Sequence, residues 1–205
     1  MKIRKVFLKM SLLFLFAFLI VSCATKPKFT GNADLCGLVV DENNRPVKGF
    51  IIHASCGLSG MKSAVTNENG IFVIENVPSG KIVISGEKKN YSKLSNVNYQ
   101  FINRTDIFCC QIKSIRSVIK LVDELLERDE IQSACNLLDN VACEKKSVEW
   151  ALIQSYKFFL TDSNHKKKEI LSLLKSEMSE SRDELFAERR KFFSEYTKEM
   201  EVSLK

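Results

Sequence analysis

The chain has 205 residues, 45 % of them hydrophobic and 27 % charged, with a formal net charge of +6. Lys2, Arg4, Lys5 and Lys9 supply four of those positive charges, and residues 1–22 hold no acid, so the remainder carries only +2. That excludes reading the basic pI as a nucleic-acid footprint. Residues 23–205 suffice for one or two small domains.

From the amino terminus, the basic start runs into the apolar stretch Leu12–Val21. A membrane-crossing helix needs about 20 apolar residues, and this stretch is about half that. A basic start followed by a short apolar run is the secretory signal pattern. Ile20-Val21-Ser22-Cys23 resembles the bacterial lipobox. The resemblance implies cleavage after Ser22 and lipidation of Cys23 on its sulfur and usually on its new amine. One acyl chain binds a membrane marginally, whereas two or three hold it firmly. No later apolar run is long enough to span, so the rest of the chain is expected outside the inner membrane, in water. Ala24 is not the acidic second residue that retains some lipoproteins at the inner membrane, which favours the outer membrane. Ala24–Asp34 has no periodicity and reads as a tether.

Residues 35–113 have the texture of strands and turns. Asp41-Glu42-Asn43-Asn44-Arg45-Pro46 is a turn cluster. Asn69-Gly70 between apolar segments predicts a hairpin, because both residues tolerate positive φ. Ile71–Ile74 and Ile82–Ile84 are β-branched runs of strand length. Ile107–Ile112 reads as a last strand after the turn Asn103–Asp106. Ile107, Phe108, Ile112, Ile115 and Ile119 also fit helical spacing. Short strands with regular turns predict an antiparallel β-sandwich of six or seven strands. The stretch resembles the carboxypeptidase regulatory-like (transthyretin-like) family over about 60 residues. The matching positions are Gly37 and Val39, Pro46-Val47-x-Gly49, Thr66-Asn67, Gly70-Ile71-Phe72, Asn76-Val77-Pro78-x-Gly80 and Tyr91. The family choice tips residues 107–112 toward strand. It also implies a packing or binding module with no catalytic site of its own.

From Ser114 onward there is neither glycine nor proline, and apolar residues recur at helical spacing. A first helix over 114–128 carries Ile115, Val118, Ile119, Val122, Leu125 and Leu126 on one face. A second carries Ile131, Ala134, Cys135, Leu138 and Ala142. A third over 147–160 groups Val148, Ala151, Leu152, Tyr156 and Phe159. Asp162, Ser163 and Asn164 are good caps for a fourth with Ile170, Leu171, Leu174 and Met178. A fifth, capped by Ser179 or Ser181, carries Leu185, Phe186, Phe192, Phe193, Tyr196 and Met200. The two hairpins are offset by about 34 residues, a period that weakly resembles tetratricopeptide repeats. A plain helical bundle fits as well. The fold class is therefore α+β: signal 1–22, lipidated Cys23 and tether 23–34, sandwich 35–113, helical domain 114–205.

Chemistry is sparse. His53 and His165 have no zinc-ligand spacing around them. Cys56-Gly57-Leu58-Ser59-Gly60 misses the nucleophile-elbow spacing by one residue and reads as a loop between strands. Lys166-Lys167-Lys168 reads as a solvated helix start. With Cys23 lipidated, Cys36, Cys56, Cys109, Cys110, Cys135 and Cys143 remain, an even number that permits disulfides. Cys36 and Cys56 alternate toward opposite faces, as do Cys109 and Cys110. On a continuous helix Cys135 and Cys143 would lie about 12 Å apart, beyond disulfide reach. Mostly buried free thiols, with at most one bridge, are expected. No cofactor, metal or catalytic set is expected. The expected role is a lipid-anchored, non-enzymatic envelope protein whose partners are the membrane and another envelope protein. The alternative is an accessory subunit packed on a separate peptidase or glycan hydrolase.

Overall fold

The computed structural model describes residues 29–180 and 190–204. Side chains of residues 178–180, 190–193, 195 and 196 fall outside that description. Eight strands come first: β1 Asn32–Val40, β2 Ile51–Ser55, β3 Met61–Val65, β4 Ile71–Pro78, β5 Gly80–Glu87, β6 Tyr91–Ser92, β7 Leu94–Phe101 and β8 Ile107–Gln111. Residues 107–111 are thus strand rather than helix. Sheet order is β4-β1-β8 in one layer and β3-β2-β5-β7 in the other. Leu35, Val39, Phe72, Ile74 and Phe108 from the first layer meet Ile52, Ala54, Ile82, Ile84 and Phe101 from the second in one buried core.

Three details depart from expectation. The β1–β8 pair is parallel, so the sandwich is not wholly antiparallel. Asn69-Gly70 does not close a hairpin, because β3 and β4 lie in different sheets. The Asn67 side chain accepts from Asn69 N at 2.9 Å and Ile71 N at 3.0 Å, turning the chain from one layer to the other. Gly70 has φ +71° there, and a Cβ would stand 2.5 Å from the Val39 carbonyl. Local turn chemistry fixes φ and ψ; which strand pairs with which is decided by the faces that must be buried. Finally, β1 begins at Asn32, ahead of Leu35, and Phe29 already packs on the strand half. Phe29 N donates to Ile102 O at 3.1 Å, and its ring meets Phe101 edge-on at 5.1 Å. Residues 32–34 are therefore strand, although the sequence pattern around them shows no periodicity.

The helices are α1 Ile115–Leu126, α2 Ile131–Asp139, α3 Val148–Leu160, α4 Asn164–Glu180 and α5 Arg190–Val202, with a two-residue strand β9 Val141–Ala142 after α2. Ser114 caps α1 and Ser147 caps α3, their hydroxyls accepting from Ser117 N and Trp150 N. α3 starts 33 residues after α1 (115 to 148), and α4 starts 33 after α2 (131 to 164). The second helix ends at Asp139, short of Ala142, which lies in β9 instead. α3 buries Trp150, Ala151, Ile153 and Phe158, and leaves Leu152 and Phe159 outward, contrary to the predicted face. The cause is that α3 packs on two sides. Ile153 joins Val118, Val122, Ala134 and Leu138, while Trp150 and Phe158 join Leu171, Leu174 and Met200. Ser179 lies inside α4, so it is no cap for the fifth helix. Ser181, Leu185 and Phe186, and the side chains of Met178, Phe192, Phe193 and Tyr196, lie outside the description. Among described residues no helix is long and apolar enough to cross a membrane.

Candidate functional site at the strand–helix junction

The two halves are joined by more than the chain at Lys113–Ser114. After β5 the chain turns at Asn90, φ +65°, and β6 pairs antiparallel with β9 of the helical half, Tyr91 opposite Ala142 and Ser92 opposite Val141. Asn90 N donates to Ala142 O and Lys93 N to Asn140 O, each at 2.7 Å. The Asn140 amide donates to Lys93 O at 3.0 Å, and its oxygen accepts from Ser95 Oγ at 2.9 Å. On the other side of β6, Ser92 N donates to Lys113 O at 2.8 Å while Lys113 N donates to Ser92 Oγ at 2.9 Å. Lys89 and Glu144 form an ion pair across the same seam.

Glu42, from the turn after β1, closes the junction from below. It accepts from Ser114 N at 2.9 Å and Ser114 Oγ at 2.5 Å, at the positive end of α1. Burial alone would raise the Glu42 pKa; the two Ser114 hydrogen bonds and the Lys113 charge outweigh it and hold the carboxyl below its ordinary value. A depressed carboxyl stabilises the fold above its unfolded pKa, and that contribution disappears as pH falls through the lowered value. Glu42→Gln is therefore expected to lower the melting temperature at neutral pH and flatten its decline below about pH 4.5. Melts across pH check this; an acid decline as steep as the native one would contradict it.

Above the ribbon lies an open cleft of about 600 Å³, whose lining includes Ile51, Lys88, Lys89, Lys93, Cys143 and Glu144. Three of its charged side chains, Lys88, Lys89 and Glu144, are engaged within the protein. Lys88 Nζ donates to Lys48 O at 2.6 Å and sits 5.0 Å from the Tyr91 ring, and Lys89 holds Glu144. Burial, then the Glu149 charge, pushes the Cys143 thiol up to about 11, so it stays protonated at neutral pH and is a poor nucleophile. Nothing in the sequence signalled the cleft, because its walls come from three separate segments, around residues 49–51, 87–93 and 141–144.

Cys23, the one predicted site residue, lies outside the described residues. His53 accepts or donates a 2.7 Å bond with Ser63 Oγ on the neighbouring strand, Ser59 lies in a one-turn 3-10 helix, and His165 faces Glu169 one turn along α4. The structure does not bring these three onto one element, and none lines the cleft. The six cysteines from Cys36 to Cys143 are free thiols, but only Cys56 is buried and Cys109 is exposed. The break after Asp139 also removes the continuous helix on which the Cys135–Cys143 separation was reckoned. Among described residues no group of three metal-capable side chains occurs.

No family model matches the chain, and no curated protein does. Solved structures match part of it. The Bacillus anthracis TIE protein shares 16 % identity over 41 % of this chain and 17 % of its own, with a TM-score of 0.37. A streptococcal ancillary pilin shares 11 % over 42 % and 30 %, with a TM-score of 0.35. The 3-chlorocatechol 1,2-dioxygenase of Rhodococcus opacus 1CP shares 10 % over 42 % and 62 %, with a TM-score of 0.34. This chain spans less than two thirds of each of them.

Proposed function

We propose that this protein is a cell-envelope lipoprotein, anchored through Cys23 in the outer rather than the inner membrane, and that it works as a non-enzymatic binding or scaffold module. The carrying observation is the amino terminus: four basic residues, a short apolar run and Ile20-Val21-Ser22-Cys23. Phe29 is bonded to Ile102 of the strand half, so the five residues Ala24–Lys28 would give a spacer of at most about 17 Å. The strand half, read as a carboxypeptidase regulatory-like sandwich, is the rigid spacer. The β6–β9 ribbon supports that part, since it ties sandwich and helices in a fixed relation. The helices present the partner surface, with Leu152 39 % and Phe159 51 % exposed, two turns apart on α3.

Affinity capture from envelope extract tests this reading. A partner recovered with the native chain and lost with Leu152→Asp/Phe159→Asp is the expected result; a partner retained equally by that variant removes the helices from the role. The accessory-subunit reading draws support from the apolar outer face of β4-β1-β8, and copurification of a peptidase or glycan hydrolase through that face would select it.

A further inference from the structure

The strands of both layers run between the same two ends, and those ends differ. Asn32 of β1 pairs with Pro78, Gly80 with Phe101, and Ser55 with both Met61 and Val83. One end therefore gathers residues 29–31, the loop 56–60, the turn 78–80 and the loop 102–106. The other holds Glu42, Lys89 and Asn90, through which the sandwich meets the helices. The nine residues of β1 set the two about 26 Å apart. Phe29 stands at the first end, where its N donates to Ile102 O and Gly31 O accepts from Ser79 N at 2.8 Å. The same end carries an apolar tip. Cys56 N donates to Gly60 O at 2.9 Å, closing a tight loop around Gly57-Leu58-Ser59. Leu58 at its tip is 109 % exposed, as open as in an unfolded chain, and Met61 after it is 68 % exposed. A Cβ on Gly31, Gly57, Gly60 or Gly80 would meet nothing within 4 Å, so this end is open. Lys81 and Arg104 are exposed here, while Asp34 and Asp106 are bonded to Asn76 N and the Asn103 amide.

We infer that this end of the sandwich docks on the phospholipid bilayer that holds the Cys23 lipid. Leu58 and Met61 enter the boundary between headgroups and acyl chains, and Lys81 and Arg104 lie among the phosphates. This docking rests on the anchored-lipoprotein reading and gives it an orientation, with the helices on the side away from the membrane. The spacer decides the occupant. It holds the Phe29 end within about 17 Å of the bilayer, whereas a small domain is about 30 Å across, so a folded partner does not fit between them. The chemistry agrees: apolar side chains leave water at the acyl boundary, and basic ones gain from anionic headgroups. Two apolar side chains alone would bind weakly, but the tether turns their docking into an intramolecular step.

Tryptophan fluorescence of the mature chain, purified from a bacterial host and reconstituted in vesicles containing anionic phospholipid, tests it. Lipids brominated near the headgroup serve as quencher. The single native tryptophan, Trp150, is buried among the helices and supplies a constant background. Leu58→Trp is expected to add emission that shifts to the blue on reconstitution and loses about half its intensity in brominated lipid. Val65→Trp, 60 % exposed at the opposite end of β3, is expected to add emission that neither shifts nor falls. Both native side chains face solvent, so both variants should melt like the native chain. A chain that floats with the vesicles while its Leu58→Trp emission stays unquenched overturns the docking and leaves the anchor standing. Equal quenching at both positions also overturns it, since the sandwich would then lie on its side. A chain that does not float with the vesicles removes the anchor, and the docking falls with it.

Discussion

Gly37→Ala is expected to destabilise the protein by about 3 kcal/mol or more, lowering the melting temperature by about 6–12 °C for a chain of this size. Gly37 sits mid-strand in β1, between β4 and β8, opposite Phe72 and Phe108. Its φ lies outside the left-handed region, so conformational freedom is not the reason for glycine. Space is the reason. An added Cβ would run into the Phe72 ring and stand 2.5 Å from the Phe108 carbonyl oxygen. The ring is 2 % exposed and packed edge-on near Phe108, and the carbonyl is backbone, so neither yields cheaply. A methyl group here must separate two strands. Thermal and urea melts measure the loss, and a melting temperature within about 2 °C of native would show that the packing is looser than described.

Ser92→Pro should cost about 3 kcal/mol and, more tellingly, divide unfolding into two steps. β6 is bonded on both sides, to Lys113 through Ser92 N and Oγ and to β9 through its flanking residues. Proline removes the Ser92 donor and the hydroxyl acceptor together, and leaves Lys113 N without its partner. The sandwich core and the two helical clusters share no buried residue. The ribbon is accordingly a main source of cooperativity between the halves. Trp150, buried among Phe158, Leu171, Leu174 and Met200, reports on the helices, and far-ultraviolet dichroism at strand wavelengths reports on the sandwich. The native chain should give coincident transitions and the variant separate ones. Coincident transitions in both would mean that the halves are coupled elsewhere.

The strand half was legible because its signals are local. The turn clusters at Asp41–Pro46 and Asn103–Asp106 bound strands on both sides, whereas Ile107–Gln111 also fitted helical spacing and was not decided by local pattern. The Asn69-Gly70 turn was legible as a turn and misleading as a hairpin, since its geometry is the same whether the strands pair or change layer. The ribbon left no readable trace. Two-residue strands such as Tyr91–Ser92 and Val141–Ala142 are too short to show a period, and a helical pattern could be drawn through Ala142. Asn140, which ends α2, was the available signal, being a residue that competes for its own backbone. On α3 the apolar residues surround the helix, so no single stripe could be chosen: Trp150, Ile153 and Phe158 went inward toward two clusters, leaving Leu152 and Phe159 outside. The junction cleft was invisible for a related reason, because it exists only once the ribbon has brought Lys88–Lys93 against Val141–Glu144.

Anchoring through Cys23 is the claim on which the proposed role rests, and metabolic labelling with a palmitate analogue tests it most directly. In a bacterial host, the native chain should carry label, lose its first 22 residues and resist carbonate extraction from the membrane. Cys23→Ser should carry no label and accumulate at precursor mass. Label that persists in Cys23→Ser, or a native chain that stays unlabelled while being secreted and processed, would contradict the account.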